Sequence, residues 1–173
     1  SLEAATSRSE VVASRLAQWK NSCGIPSKVL DVSWIYSHYT GLDEPEKIRN
    51  CIKDFHSNLL TRYVTIFGDV DKVPIRYAFV PFEGENLVAT DLYYADLNYT
   101  WDDNGDGLYA DLGNDTIDGI PDVSVGRIPV SPDVADGVVT KIIEYQQQLD
   151  VSADWVNRVV LAAGWSDGGS ASW

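Results

Sequence analysis

The chain has 173 residues, a hydrophobic share of 45% and a formal net charge of −13. This length suffices for about one domain with a sizeable core, and the aromatic residues (6 Trp, 9 Tyr and 4 Phe) indicate a globular protein rather than a disordered one. The negative charge argues against nucleic acid or an anionic membrane surface as a partner, and no apolar run reaches the roughly 20 residues that a membrane span needs.

The first half of the chain predicts two helices and two strands. An apolar stripe after Ser7 predicts a helix that ends near Gly24. The β-branched and aromatic residues of KVLDVSWIY (28–36) predict a strand. Apolar residues at spacings of three and four after Pro45 predict the second helix. RYVTIFGD (62–69) is a short apolar run, which is typical of a strand buried on both faces of a parallel sheet.

The second half of the chain repeats this pattern. DVSVGR (122–127) predicts a strand, Ser131 and Pro132 predict the N-cap and first residue of a helix, and RVVLAAG (158–164) predicts one more buried strand. Alternating strands and helices predict an α/β fold, a three-layer αβα sandwich with a mostly parallel sheet and right-handed crossovers. The long segment 70–121 between these units is expected to consist mostly of loops and short hairpins.

The negative charge is concentrated in one part of the chain. From Tyr77 to Gly126 there is no Lys or Arg, but there are eleven Asp and Glu residues. Since the whole chain has 13 basic and 26 acidic residues, the other positions hold 13 basic and 15 acidic residues and are nearly neutral. Packed carboxylates repel one another unless a cation neutralises them, so the distribution favours a bound cation.

WDDNGDG (101–107), within this acidic segment, contains the pattern D-x-N-x-D-G, which opens calcium loops of the EF-hand type. Gly113 stands at position 12, where an EF-hand needs a bidentate Glu, so a full EF-hand is not expected. Later carboxylates can complete the shell instead. The candidate calcium ligands are Asp102, Asn104, Asp106, the Leu108 carbonyl, Asp111, Asp115 and Asp118. The alternative is a solvated acidic turn, because Asp, Asn and Gly are ordinary turn residues.

Other chemically reactive side chains carry weaker signals. Cys51 falls on the apolar face of a predicted helix and is expected to be a buried structural thiol, whereas Cys23 lies in a turn, and the spacing does not decide whether they are bridged. His38, at a predicted strand exit, and His56, on a helix, are not paired with a nucleophile by any motif. Asp69 follows a strand end, where ligands bind in open α/β sheets, although fixing the turn is an equally good interpretation.

Several of these segments occur together in a recognisable order. They are YVTIFGDVDKVP (63–74), ATDLYYADL (89–97), the Asp-rich loop, IPDVSVGRIPV (120–130) and a helix ending in KIIEYQ (141–146). This succession resembles the gingipain-type family of cysteine peptidases, with a strand ending in Gly-Asp, an S-D-x-x-Y-like segment and a G-R-x-P-like strand end. The resemblance covers the chain from about Gly41 onward.

The resemblance implies a caspase-like α/β fold with two subdomains side by side and the active centre in the second. Residues 1–150 would form the amino-terminal subdomain, with the Asp-rich loop at about 98–118, and 151–173 would provide the first strand of a truncated catalytic subdomain. In such peptidases a His acts as base and a Cys thiolate attacks the substrate. Both are expected beyond this chain, and Asp167 is the position that matches an acid orienting the catalytic His.

Two functions are compatible with these features. The first is the non-catalytic front portion of a secreted, calcium-stabilised, gingipain-like cysteine endopeptidase. Its partners would be the remainder of the catalytic domain and, through the parent enzyme, protein or peptide substrates, with no catalysis by the isolated chain. The second is an extracellular binding or adhesion module held together by calcium. An incomplete loop should bind calcium at roughly 10⁻⁴–10⁻³ M, which indicates a location outside the cell in both cases.

Overall fold

The structure is a computed structural model that describes residues 8–82, 85–148 and 152–160. Its elements in chain order are α1 (Arg8–Ser22), α2 (Val32–His38), α3 (Glu44–Leu59), β1 (Tyr63–Phe67), β2 (Arg76–Phe82), β3 (Glu85–Thr90), α4 (Leu92–Ala95), β4 (Ser124–Ile128), α5 (Pro132–Gln148) and a 3₁₀ helix (Asp154–Asn157). No helix within these ranges is long and apolar enough to cross a membrane.

The strands form one parallel and one antiparallel pair. Strands β1 and β4 are parallel, with Tyr63 opposite Ser124 and Phe67 opposite Ile128. Strands β2 and β3 form an antiparallel hairpin within the long segment that separates β1 from β4. The predicted parallel pairing and the predicted hairpin are therefore both confirmed.

The β1–β4 sheet has helices on both faces. Successive side chains of a strand point to opposite faces, and the consecutive residues Ile66 and Phe67 belong to different cores. Ile66 joins a cluster to which α2 and α3 contribute Ile35, Ile48, Cys51 and Ile52. Phe67 packs against a smaller cluster from α1 and α5, made of Val12, Ala135 and Val139. The sheet thus lies between two helical layers, which confirms the αβα sandwich.

Three of the predicted helices are confirmed. Helix α1 is followed by Gly24, whose φ of 80° is readily adopted only without a side chain. Asp43 caps α3 by accepting the N–H of Glu46 at 3.0 Å, and Pro132 begins α5 as expected. Ser7, the predicted cap of α1, lies outside the described residues.

The strand predicted at 28–36 is wrong, because this segment contains helix α2. Asp31 is the N-cap, and its carboxylate accepts the N–H of Ser33 at 2.7 Å. The helix buries Ile35 in the main core. A side-chain cap and one buried contact outweigh the β propensity of the neighbouring residues, which is a weak and context-dependent preference.

Two predictions of burial are also wrong. Strand β1 is covered unevenly, since Tyr63 is 72% exposed and Thr65 is exposed on the same face as Phe67. Val159 and Val160, predicted to begin a buried strand, are 81% and 91% exposed and belong to no strand in the described range 152–160. The remainder of that predicted strand, 161–164, lies outside the described residues.

Candidate functional site

The acidic segment is attached to the core at Tyr93, on the short helix α4. The guanidinium groups of Arg49 and Arg76 lie 4.6 and 4.4 Å from the centre of the Tyr93 ring. Arg76 donates two hydrogen bonds to the carboxylate of Asp43, at 2.7 and 2.8 Å. These cation–π and ion-pair contacts join α3, β2 and α4. They precede the Asp-rich loop at about 98–118, which is called the acidic loop from here on.

The buried Arg76 and the half-buried Asp43 remain charged. Burial alone would lower the pKa of Arg76, but hydrogen bonds to Asp43 and Tyr93 raise that pKa above its ordinary value. Burial alone would raise the pKa of Asp43, but hydrogen bonds from Arg76 and from the N–H of Glu46 hold it below its usual range. The pair is therefore a permanent ionic link at neutral pH.

Arg49 fixes the entry to the acidic loop. Its guanidinium donates hydrogen bonds to the backbone carbonyls of Asp96, at 3.0 and 2.5 Å, and Tyr99, at 2.6 Å. At the exit, Asp122 accepts the N–H of Leu97 at 2.7 Å. The two ends of the loop are therefore held together. The sequence marks Asp96 and Asp122 only as further members of the acidic segment, so their structural roles were not predicted.

The motif 101–107 forms a turn organised by its own side chains. The carboxylate of Asp102 accepts the N–H groups of Gly105, Asp106 and Gly107 at 2.8, 3.1 and 3.1 Å. The Asn104 amide oxygen accepts the N–H of Asp106 at 3.0 Å, and its nitrogen donates to the Asp106 carboxylate at 2.8 Å. The side-chain oxygens predicted as ligands are therefore engaged with the loop itself.

A second group of acids links the motif to the later part of the loop. Asp115 accepts the N–H groups of Asp103 and Asp111 at 2.8 and 2.9 Å. Asp103, which was not predicted as a site residue, accepts the N–H of Thr116 at 2.9 Å. Asp118 lies elsewhere and accepts the N–H of Ile120, one of its own near neighbours, at 2.9 Å.

The seven predicted ligands are thus brought into one loop but not around one point. Asp102, Asn104 and Asp106 share a turn, whereas Asp111 and Asp115 belong to the adjacent group. Leu108 donates its N–H to Asp106 at 2.8 Å. Within 8–82, 85–148 and 152–160, no three His, Cys, Asp or Glu side chains converge as they would around a metal ion. The calcium site stays a prediction.

Arg127 connects three of the sequence motifs at the carboxyl end of the sheet. It donates two hydrogen bonds to the carboxylate of Asp91, at 2.8 and 2.7 Å. It also donates to the carbonyls of Gly68, at 3.1 Å, and Val73, at 2.8 Å. Hydrogen bonding to Asp91 raises the pKa of Arg127 despite partial burial. The G-R motif therefore fastens the loop that follows β1.

Asp69 organises the turn after β1. Its carboxylate accepts the N–H of Val70 at 2.8 Å, and its carbonyl accepts the N–H groups of Lys72 and Val73, both at 2.9 Å. These contacts favour the turn interpretation over a chemical role. Asp167, the proposed orienting acid, lies outside the described residues.

The two cysteines and the two histidines lie in separate local environments. Cys51 is 3% exposed, and burial raises the pKa of its thiol, so the expected structural thiol is confirmed. Cys23 is exposed, and neither cysteine is in a disulfide. His38 ends helix α2 rather than a strand and stacks on Trp34, with ring centres 4.2 Å apart. His56 is hydrogen-bonded to a nearby backbone carbonyl.

Two helical layers around a parallel sheet, with an acidic loop between β1 and β4, define an α/β protein of the sandwich class. A sequence model of peptidase family C25 matches residues 5–172, almost the whole chain. The chain therefore belongs to peptidase family C25, the gingipain family of cysteine peptidases, whose fold is caspase-like. Neither a curated protein nor a solved structure matches the sequence significantly.

Proposed function

We propose that this chain is a supporting α/β subdomain of an extracellular, calcium-stabilised cysteine endopeptidase. The observation that carries the proposal is the match to peptidase family C25 over residues 5–172. In this role the subdomain buttresses the sheet of the catalytic part, which holds the reactive His and Cys. In this proposal, substrates are bound and cleaved by the complete enzyme and not by this subdomain alone.

The environment of the Cys51 thiol and the local contacts of both imidazoles support a non-catalytic role. A cysteine nucleophile needs a lowered pKa or an adjacent base, since the thiolate is the attacking species. Cys51 has the opposite environment, because burial raises its pKa. His38 interacts with Trp34 and Ser37, and His56 with Thr61, so both imidazoles are committed to local contacts.

The composition of the acidic loop supports calcium as the stabilising ion. Carboxylate, amide and backbone carbonyl oxygens are the ligands that calcium prefers, and this loop offers them without a competing Lys or Arg. Asp102, Asn104 and Asp106 are the first three donors in the proposal. On binding, these side chains would exchange hydrogen bonds to exposed N–H groups for the ion. Calcium would neutralise the mutual repulsion of the carboxylates.

The predicted strength of binding supports an extracellular location. A loop without a bidentate Glu at its last position belongs with the weak sites of extracellular modules, at roughly 10⁻⁴–10⁻³ M. Such a site fills where calcium is millimolar and stays empty at cytosolic concentrations. The proposed stabilisation therefore operates outside the cell.

Activity assays test the supporting role. The isolated chain and the complete peptidase are compared for hydrolysis of a quenched fluorescent peptide library under reducing conditions. We expect cleavage by the complete enzyme only. Thiol-dependent cleavage by the isolated chain that disappears in Cys23→Ala or Cys51→Ala would contradict the proposal.

Thermal unfolding tests the calcium site. Calcium at about a hundred times its Kd should raise the Tm of the isolated chain by roughly 5–10 °C relative to chelator. The double variant Asp102→Asn, Asp106→Asn should lose this response. The control Asp71→Asn, Asp133→Asn removes the same charge from exposed positions and should retain it. An equal response in both variants would place the ion elsewhere.

A further inference from the structure

The acidic loop contains an asparagine whose side-chain amide is chemically labile, because a glycine follows it. Asn104–Gly105 is the only Asn–Gly pair in the sequence, and both residues are exposed. Gly105 has a φ of 74°, and nothing lies within 4 Å of the position that a Cβ would occupy. Gly105 therefore has no side chain that would shield its backbone nitrogen from the preceding side-chain amide.

Three hydrogen bonds fall on the atoms that such an attack uses. The nucleophilic nitrogen of Gly105 donates its proton to the Asp102 carboxylate at 2.8 Å. The amide oxygen of Asn104, where negative charge develops, accepts the N–H of Asp106 at 3.0 Å. The leaving nitrogen of Asn104 donates to the Asp106 carboxylate at 2.8 Å. A base, an oxyanion donor and a contact to the leaving group are thus all present.

We propose that the chain deamidates itself at Asn104, assisted by Asp102. The Gly105 nitrogen loses its proton to Asp102 and forms a bond to Cγ of Asn104. The tetrahedral intermediate then expels the amide nitrogen, which takes up the proton released by Gly105 and leaves as ammonia, so that Asp102 is again a carboxylate. Water opens the resulting succinimide at either carbonyl, giving an aspartyl or an isoaspartyl residue. The reaction consumes one water and needs no oxidant or cofactor.

The product changes the loop at the third position of the D-x-N-x-D-G motif. A neutral amide becomes a carboxylate, which adds one negative charge to a segment that already has eleven acids. The isoaspartyl form also inserts an extra carbon into the backbone and removes the two hydrogen bonds between the Asn104 amide and Asp106. Deamidation therefore acts as a slow, irreversible alteration of this loop.

Peptide mapping by mass spectrometry tests the proposal on the folded chain, incubated in chelator at mildly alkaline pH. We expect the peptide that contains Asn104 to gain the mass of a single deamidation and to contain isoaspartate at that position. Asn114 is the internal control, because it is exposed and its amide donates to Asp111 at 2.8 Å, but Asp115 follows it. Asp102→Asn should slow the reaction at Asn104 about tenfold or more.

Faster deamidation at Asn104 in the Asp102→Asn variant would overturn the proposal. It would mean that the hydrogen bond from Gly105 to Asp102 only restrains the loop. Equal rates at Asn104 and Asn114 would also overturn it. In concentrated urea the wild-type and Asp102→Asn chains should deamidate at the same rate. A difference that persists there would mean that the folded loop has no part in the effect. The use of chelator keeps this test independent of calcium binding.

Discussion

At the scale of single residues, Asp43 performs two structural tasks with one carboxylate. It caps α3 through the N–H of Glu46, and it neutralises the buried Arg76, whose side chain is 8% exposed. Removing the carboxylate leaves the buried charge of Arg76 without its partner, and solvent on the side of the half-buried Asp43 compensates this charge only in part. The contact is therefore sensitive to the protonation of Asp43.

Asp43→Asn should reduce the free energy of unfolding by about 1–2 kcal/mol at pH 7, because Arg76 stays buried without its carboxylate, while solvent screens part of the interaction at Asp43, which is 39% exposed. The folded-state pKa of Asp43 is lowered, so its stabilisation is present above the ordinary Asp pKa of about 3.9 and is lost as the pH falls through the lower folded value. Urea unfolding at pH 7 and pH 3 measures this. The difference between wild type and variant should narrow at pH 3; a constant difference would contradict the assignment.

Arg127→Lys tests the connection at the carboxyl end of the sheet. Lysine keeps the charge but cannot make the bidentate contact to Asp91 while also bonding the carbonyls of Gly68 and Val73. We expect the free energy of unfolding to fall by about 2 kcal/mol. Arg158→Lys is the control, because Arg158 and Asp154 are 71% and 87% exposed, and its effect should be at most about 0.5 kcal/mol. A similar loss of unfolding free energy in both variants would refute a special role for Arg127.

At the scale of elements, the long helices α1, α3 and α5 were predictable and the short helix α2 was not. Helix α3 has a clear apolar stripe and a proline at its first turn, so its period is evident over four turns. Helix α2 has seven residues, too few for a period to outweigh the β-branched and aromatic residues around it. Its helical state depends on the cap at Asp31 and on the burial of Ile35, which is a tertiary contact.

The start of α3 depends on a close approach that only glycine permits. A Cβ at position 41 would lie 2.9 Å from the backbone nitrogen of Lys47 and 3.1 Å from Cβ of Glu46. Gly41→Ala should therefore destabilise the protein by about 1–3 kcal/mol. Gly137→Ala should have the opposite effect, a gain of about 0.5–1 kcal/mol, because Gly137 is exposed within α5 with open space around it. Chemical denaturation measures the free energy of unfolding of both variants. A change in the same direction for both would contradict this interpretation.

At the scale of the whole molecule, the sequence located the acidic loop but not its internal arrangement. Charge distribution is visible in the sequence, so the segment between β1 and β4 could be identified as one unit. The contacts of Asp103 with Thr116, and the closure of the loop by Arg49 and Asp122, depend on residues that the fold brings together. The alternation of strands and helices predicted the sandwich, because the buried faces of β1 and β4 require helical cover.

The distribution of charge predicts how salt affects the whole protein. With a net charge of −13 and eleven acids in a segment without Lys or Arg, repulsion within the loop should dominate the electrostatic free energy of folding. Raising sodium chloride from about 0.05 M to about 1 M shortens the screening length to roughly 3 Å. Exposed ion pairs such as Arg8–Asp133 contribute only about 0–1 kcal/mol each, so their loss is the smaller effect. In chelator we therefore expect the Tm to rise with salt, and an unchanged or falling Tm would mean that the carboxylates are already compensated by their hydrogen bonds within the loop.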